Sequence, residues 1–279
     1  MDSEPGHGKR GPAVHGYGLR VLIVACVLSA AVLLAGFEWM GMAGLAVASA
    51  LIFAVGWLVY LGSERTLLAA LRARPVSEVE KPSLYALVRE LCRDARLPVP
   101  RLYISPASQP NVLTIGCDSR SPALCCTEGL LRELSVPELR AVLAHELAHV
   151  SRHDTLASSW SAGLASLLAF VPLPATALLM AVTTPSAREY QADFDGALLA
   201  GDPMALASAL RKISSSAARS PLPARGLLAA AGHLMIAYPS PLRRFRLGGL
   251  GRLLRSHPPT MERVRRLESL AGGYRSVAG

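Results

Sequence analysis

The stretch His145-Glu146-Leu147-Ala148-His149 carries the side chains of a metal site with an adjacent base. Two histidines four positions apart lie on one face of a helix, with Cβ atoms about 5–6 Å apart, so their imidazoles can share one zinc ion. Glu146 then lies beside the metal, where its carboxylate can take a proton from the attacking water. The stretch therefore predicts metal-assisted hydrolysis, with His145 and His149 as ligands and Glu146 as general base.

The preceding residues predict the helix that this stretch needs. Ser135 and Glu138 have the spacing of a capping box, and Pro137 falls in the first turn, where a missing N–H costs little. The positions around the histidines are apolar: Val142, Leu143, Ala144, Leu147, Ala148 and Val150. The alternative is that both histidines are ordinary surface or core residues. It is disfavoured because titratable groups on a buried helix are costly without a partner such as a metal.

A third protein ligand is required, since catalytic zinc sites use three. The segment Glu189-Tyr190-Gln191-Ala192-Asp193 offers the best candidate. Its carboxylates are four positions apart on a predicted helix, so Glu189 can bind zinc while Asp193 orients a ligand imidazole. The pattern alone is weak, because exposed helices often carry such charges.

Several segments, in this order along the chain, resemble the M48 peptidases, the family that includes HtpX and the CAAX prenyl proteases. They are PSLYALVRELCRDARLPVPRLYI, Pro110-Asn111 before a strand, HELAHVSRHD, EYQAD, DPMALASALRKI, GHLMIAYP and HPPTMERVRRL. The resemblance runs from about Gly62 to Leu270. It implies a gluzincin-type peptidase with one zinc ion per chain, held by His145, His149 and Glu189.

The same resemblance assigns roles to three further residues. Asn111 and the strand after it would bind the substrate backbone by strand addition. His257 and Arg263, in the segment HPPTMER, would stabilise the oxyanion of the tetrahedral intermediate. The alternative for this pair is that they cap and solvate a terminal helix.

Two apolar runs near the amino terminus, residues 21–37 and 43–62, each approach the ~20 residues that cross ~30 Å of hydrocarbon as a helix. Basic residues flank the pair on both outer sides, whereas the short connection has none: Lys9, Arg10 and Arg20 before it, and Arg65, Arg72 and Arg74 after it. The positive-inside rule then predicts a hairpin with both ends in the cytosol. A cleaved signal peptide fits less well, because the second run follows so closely.

A third apolar run, residues 156–183, separates the histidine pair from Glu189 and is long enough to span a bilayer once. A single crossing would place His149 and Glu189 on opposite sides of the membrane. The Val171-Pro172-Leu173-Pro174 break instead predicts a helical hairpin. It would dip into the bilayer, roof the active site, or cross as a tilted pair.

The predicted fold class is a mainly α integral membrane protein, with an amino-terminal transmembrane hairpin and an α+β peptidase domain that contains a small sheet. The expected division is a disordered tail at 1–19, the hairpin at 20–62 and the peptidase domain at 63–279. Within the domain, apolar spacing predicts a helix over Leu84–Cys92 and strands at Arg101–Ile104, Val112–Cys117 and Ala123–Thr127.

The composition favours a membrane over nucleic acid as partner. Hydrophobic residues make up 51% of the chain and charged residues 18%, values that fit a protein with apolar surface in lipid. The net charge of +9 comes mostly from arginines beyond Gly201, without a nucleic-acid-binding motif, so these are expected to face an anionic cytoplasmic leaflet. The odd number of cysteines, five, indicates a reducing compartment, and the lack of a CxxC spacing disfavours a cysteine-based zinc site.

The expected function is a zinc-dependent endopeptidase, multi-pass in the cytoplasmic membrane, with its catalytic domain facing the cytosol. Its expected partners are the lipid bilayer and protein or peptide substrates. Analogy within the family suggests quality control of membrane proteins. The alternative is a catalytically silent membrane scaffold that retains a structural zinc site; Glu146 favours the enzyme, because a structural site needs no base.

Overall fold

The computed structural model describes residues 16–116, 121–152, 154–155, 159, 186–219, 235–236 and 258–278. His257, nearly all of the apolar segment 156–183 and most of the predicted tail at 1–19 lie outside these described residues. The first described helix begins at Gly16, four residues inside that predicted tail. The described part is mostly helical, with one small sheet.

The first helix, α1 (Gly16–Ala70), is 55 residues long and breaks at Gly41, whose φ of 58° lies in the left-handed region that glycine adopts without strain. A Cβ added to Gly36 would lie 2.7 Å from the carbonyl oxygen of Gly44. In a straight helix these two residues would be about 12 Å apart. The chain therefore bends sharply at Gly41, and the two glycines let the backbones on either side approach closely.

Val21–Tyr60 of α1 is the one helical stretch among the described residues that is long and apolar enough to cross a membrane, with a mean hydropathy of 2.5. The rest of the protein covers little of it. Large apolar side chains are exposed along its length, such as Trp39 (91%) and Phe53 (73%). This composition is that of a segment whose natural surroundings are apolar.

The sheet has four strands in the order β1-β2-β4-β3. The strands are β1 (Arg74–Pro75), β2 (Arg101–Ser105), β3 (Val112–Ile115) and β4 (Ala123–Thr127). Strands β2 and β4 are parallel, whereas β1 pairs with β2 and β3 pairs with β4 in antiparallel fashion. The strand that follows Asn111 therefore lies at an edge of the sheet. It ends at Ile115, two residues earlier than predicted.

The other described helices are α2 (Pro82–Ala95), α3 (Glu128–Glu133), α4 (Val136–Ser151), α5 (Ser186–Ala200), α6 (Pro203–Arg219) and α7 (Thr260–Ala278). The predicted helix over Leu84–Cys92 is confirmed within α2, which ends where Arg96 adopts the left-handed conformation. The capping box of Ser135 and Glu138 is present at the start of α4, with both reciprocal hydrogen bonds.

Helix α4 lies at the centre of the domain, in contact with α2, α5, α6 and β3. Its residues from Ala141 to Ala148 are all buried, which explains why the positions around the histidines are apolar on every side. The opposite face of the sheet carries Leu113 and Ile115, which pack against Leu67 and Leu71 at the end of α1. The long amino-terminal helix is thereby joined to the sheet that leads into the histidine helix.

Candidate metal centre

Three predicted ligands, His145, His149 and Glu189, come together although α5 begins far along the chain from α4. Their ligand atoms all lie within 4.8 Å of one another. The Nε2 atom of His149 is 3.5 Å from Glu189 Oε1, and the Nε2 atom of His145 is 3.8 Å from Glu189 Oε2. The two imidazole rings are perpendicular, with centroids 4.9 Å apart. Two nitrogens and a carboxylate thus converge on one point.

The spacing and chemistry of these atoms fit a zinc ion. Ligand atoms about 2.0–2.1 Å from a tetrahedral zinc lie about 3.3–3.4 Å from one another, so shifts of a few tenths of an ångström would complete the geometry. Two histidines and one glutamate form a common ligand set of zinc peptidases. Glu189 is 3% exposed, and a buried carboxylate between two imidazoles is the arrangement that a divalent cation stabilises.

The approach of α5 to α4 depends on Gly196. A Cβ added to this residue would lie 2.6 Å from the Cα atom of His145. Glycine therefore permits the backbones of the two helices to touch directly behind the first histidine. Glu189, two turns earlier on α5, reaches the imidazoles because the helices are this close.

Behind His145, an acid and an arginine form a buried ion pair. Asp193 Oδ1 lies 3.1 Å from Nδ1 of His145, one of the two imidazoles that it could orient. Arg263 donates from Nε and Nη2 to the two oxygens of Asp193, at 2.8 and 2.7 Å. Burial alone would raise the pKa of Asp193, but Arg263 and His145 outweigh it and lower the pKa to about 2. The carboxylate is therefore ionised.

Behind His149 lies a second acid that the sequence analysis missed. Asp154 Oδ2 is 3.1 Å from His149 Nδ1, and the same oxygen lies 3.9 Å from Arg188 Nε. Arg188 Nη2 also lies 3.8 Å from Glu189 Oε1. Asp154 ends the segment HELAHVSRHD, so its position five residues after a ligand was a usable signal. Each histidine thus has its own carboxylate on the nitrogen that faces away from the cluster.

Glu146 is also buried, at 3% exposed, and receives a hydrogen bond from a strand. The hydroxyl of Thr114 on β3 donates to Glu146 Oε2 at 2.8 Å. Sequence reasoning did not find this partner, because the two residues are separated by 32 positions and a threonine within a strand carries no distinctive signal. The predicted base therefore lies between the metal cluster and the edge strand.

The profile of peptidase family M48 matches residues 78–271, which include all of the residues described above for the site. The chain belongs to peptidase family M48. The match begins just before α2 and ends within α7, so strands β2 to β4, the histidine helix and α5 fall inside it, whereas β1 lies just before it. The amino-terminal helix lies before the matched residues.

Curated M48 relatives cover most of the chain. A protease HtpX homolog of Arthrobacter sp. (strain FB24) is 44% identical over 239 residues, which are 77% of this chain and 81% of the relative. A protease HtpX homolog of Pelotomaculum thermopropionicum is 35% identical over 287 residues, covering 91% and 99% of the two chains. The second comparison therefore covers much more of the chain than residues 78–271, which the M48 profile matches.

The fold is similar to that of one solved structure. The crystal structure of Ste24p from S. mikatae matches with a TM-score of 0.52 at 17% sequence identity. The similarity covers 89% of this chain and 64% of Ste24p. At this level of identity the comparison supports the fold of the M48 domain.

Two residues to which the M48 resemblance gives a role are committed to protein contacts. Arg263 is fully buried, and its third nitrogen, Nη1, donates to the carbonyl of Ile236 at 3.1 Å. The side-chain oxygen Oδ1 of Asn111 accepts a hydrogen bond from the backbone N–H of Val112, while the backbone N–H of Asn111 donates to Thr127 Oγ1. His257 lies outside the described residues. The oxyanion role of Arg263 and the substrate-binding role of Asn111 stay predictions.

Proposed function

We propose that this M48 chain is a zinc-dependent endopeptidase that hydrolyses peptide bonds of membrane or membrane-proximal proteins. Membership of the family, with HtpX homologs among the relatives, indicates a membrane-bound metalloprotease. The observation that supports the finer assignment is the convergence of three ligand atoms within 4.8 Å, with Glu146 buried beside them. His145, His149 and Glu189 are the proposed ligands of one zinc ion per chain.

Glu146 is the proposed general base and acid. A bound zinc ion would lower the pKa of a water ligand towards about 7 and polarise the substrate carbonyl. The Glu146 carboxylate accepts a proton as the water oxygen forms its bond to the carbonyl carbon. It then delivers that proton to the leaving nitrogen as the C–N bond breaks. The burial of Glu146 next to the proposed ligand His145 supports this role.

Asp193 and Asp154 hold the two ligand imidazoles in the orientation that hydrolysis requires. Each carboxylate lies 3.1 Å from an Nδ1 atom, which leaves both Nε2 atoms directed at Glu189. Arg263 keeps Asp193 ionised and in place. His257 remains the proposed source of oxyanion stabilisation, together with any N–H of Arg263 that substrate binding makes available.

The outer edge of β3 is the proposed docking position for the substrate backbone. An extended peptide can add to an edge strand through main-chain hydrogen bonds. Asn111 would help to bind the substrate backbone at the start of this edge. Its side-chain oxygen accepts a hydrogen bond from Val112 N–H, the first amide of β3. The edge strand carries Thr114, the partner of Glu146, so a peptide docked there would lie next to the base.

The bend at Gly41 supports a membrane hairpin formed by the two arms of α1. Each arm of Val21–Tyr60 has about 20 residues, enough for ~30 Å of hydrocarbon. With Arg20 before the pair and Arg65 after it, we propose that both ends are cytosolic and that the catalytic domain faces the cytosol in the cytoplasmic membrane. Residues 1–19 would form a tail, 20–62 the hairpin and 63–279 the peptidase domain.

The competing proposal, a silent scaffold with structural zinc, explains fewer of the contacts. A structural site would need the three ligands and their aspartates but no buried carboxylate bonded to Thr114. Burying the carboxyl of Glu146 costs stability, and a catalytic role gives a reason for keeping it there that a structural zinc site does not. Quality control of membrane proteins is the role that the HtpX homologs suggest by analogy.

The test uses the full-length protein purified in detergent, with casein or self-cleavage as the assay. We expect a chelator to abolish cleavage, and Glu146→Gln to lower it by about 10²–10⁴-fold while one zinc per chain is retained. Glu268→Gln, the same change at an exposed ion pair on α7, is the matched control and should cleave normally. Equal cleavage by Glu146→Gln would refute the mechanism. A zinc-loaded parent without any cleavage would favour the scaffold.

A further inference from the structure

One threonine joins the edge of the sheet to the proposed base. The Thr114 hydroxyl donates to Glu146 Oε2 at 2.8 Å, and the two residues are 4% and 3% exposed. A buried hydroxyl–carboxylate bond of this length is charge-assisted and stronger than a bond between neutral groups. It fixes one of the two carboxylate oxygens of Glu146.

The position of Thr114 is itself fixed by hydrogen bonds on both sides along β3. In an antiparallel pair, successive residues direct their peptide groups alternately towards the partner strand and away from it. Thr127 N–H donates to the Asn111 carbonyl, so Asn111 faces β4, and Val112, Thr114 and Gly116 face the outer edge. At that edge the Val112 carbonyl accepts from Ile236 N–H at 3.3 Å.

The other flank of Thr114 is held in the same way. Gly116 N–H donates to the hydroxyl of Ser159 at 3.2 Å, and Ser159 is fully buried. Neighbours two positions before and two positions after Thr114 are therefore anchored at the outer edge. Thr114 lies between them, with its peptide group on the same edge and its side chain directed at α4.

We propose that Thr114 is a positioning residue for the peptidase reaction, an inference that rests on the proposed function. Its hydroxyl holds Glu146 Oε2, so that Oε1 is the oxygen that exchanges the proton with water and with the leaving nitrogen. Without the hydroxyl, the Glu146 carboxylate can rotate. Oε1 is then less well placed to take the proton from water and to deliver it to the leaving nitrogen. A displacement of about 1 Å in such a group can lower the rate by about 10²-fold.

The same residue also relates the base to the substrate. If a peptide reaches the part of the outer edge that lies between these two anchored neighbours, the peptide group of Thr114 contacts its backbone while the side chain of Thr114 holds Glu146. One residue then sets the distance between the substrate backbone and the base. A change confined to the hydroxyl should alter the chemical step, because it leaves the backbone contacts of the strand in place.

The test compares Thr114→Val with Thr114→Ser in the full-length protein, using a fluorogenic peptide in detergent. Valine keeps the β-branched shape and lacks the hydroxyl, whereas serine keeps the hydroxyl. We expect Thr114→Val to lower kcat by about 10–100-fold with little change in KM and with one zinc per chain retained. Thr114→Ser should recover most of kcat. Thr66→Val, the same change on the exposed surface of α1, is the matched control.

Three results would overturn the inference. They are an unchanged kcat in Thr114→Val, an equal loss in Thr114→Ser, and a rise in KM without a fall in kcat. The second would show that the threonine methyl group matters through packing, and the third that the residue acts in substrate binding. Failure of the proposed function would look different, because the parent protein itself would then show no chelator-sensitive cleavage.

Discussion

Arg263 holds the carboxylate of Asp193 with two hydrogen bonds, of 2.8 and 2.7 Å, and both side chains are buried. The Asp193 carboxylate in turn lies 3.1 Å from His145 Nδ1, so helix α7 is connected through α5 to a proposed ligand on α4. Breaking a buried ion pair by removing one partner leaves an uncompensated charge. The orientation of His145 therefore depends on a residue near the carboxyl terminus of the chain.

The first prediction concerns metal affinity. Asp193→Asn should weaken zinc binding by about 10–100-fold, because His145 loses its anionic partner and Arg263 loses the closer of its two buried carboxylates, Glu189 Oε2 lying at 3.6 Å. Competition with a chromophoric chelator in detergent would measure the dissociation constant. Asp94→Asn, the same change at an exposed position on α2, should leave the affinity unchanged. Equal affinities for parent and Asp193→Asn would contradict the proposed role of the aspartate.

The second prediction concerns the contact between α4 and α5. Gly196→Ala would place a Cβ 2.6 Å from His145 Cα, so the helices must separate and Glu189 must move away from the imidazoles. We expect loss of stoichiometric zinc and a lower melting temperature. Gly272→Ala is the matched control, since an added Cβ there has nothing within 4 Å, and it should raise stability by up to about 1 kcal/mol. Full zinc occupancy in Gly196→Ala would exclude this account.

Much of the local structure could be predicted from the sequence because its causes are local. The capping box places Ser135 and Glu138 three positions apart, and apolar spacing places α2 and strands β2 to β4 within three residues of their observed ends. Helix periodicity was enough to propose the two histidines as a ligand pair. The segment EYQAD also offered Glu189 as a candidate, but a carboxylate there is chemically ordinary. The resemblance to M48 peptidases gave this candidate its weight.

The contacts that complete the site could not be predicted, because they join residues far apart in sequence. Thr114 and Glu146 are 32 positions apart, and Arg263 and Asp193 are 70 apart. Neither threonine nor arginine signals its partner by spacing. The oxyanion role of Arg263 stays a prediction. The bonds of its guanidinium to Asp193 and Ile236, and its approach to Glu189 Oε2 at 3.6 Å, had no signal in the sequence.

The third prediction concerns membrane topology. Ser151 and Ala187 are exposed, and each is two residues from a proposed ligand, so they must lie on the same side of the bilayer. Single cysteines at these positions, in a Cys26→Ser, Cys117→Ser background, should react with an impermeant maleimide from the cytosolic side only. The buried thiols should stay unmodified, since burial raises the pKa of Cys92 to about 11 and of Cys125 to about 12. Labelling from opposite sides would remove Glu189 from the site.

Glu138 gives α4 a second set of contacts, remote from the metal centre. Its carboxylate accepts hydrogen bonds from Ser135 in the capping box and from Ser208 and Lys212 on α6, both at 2.7 Å. Burial raises the pKa of Glu138, but these three donors outweigh it and lower the pKa from 4.5 to about 2. The start of the histidine helix is thereby tied to α6.

The fourth prediction follows from the sign of that shift. Because the pKa of Glu138 is lower in the folded state, its stabilisation is complete above about pH 4.5 and is lost as the pH falls towards 2. Glu138→Gln should therefore lower the free energy of unfolding at pH 7 by about 1–3 kcal/mol. The difference between parent and variant should shrink between pH 4.5 and pH 3, as followed by melting temperature in detergent. Glu268→Gln, at an exposed pair, should differ little from the parent at either pH. A difference for Glu138→Gln that stays constant with pH would mean that the carboxylate contributes through shape and packing, and not through its charge.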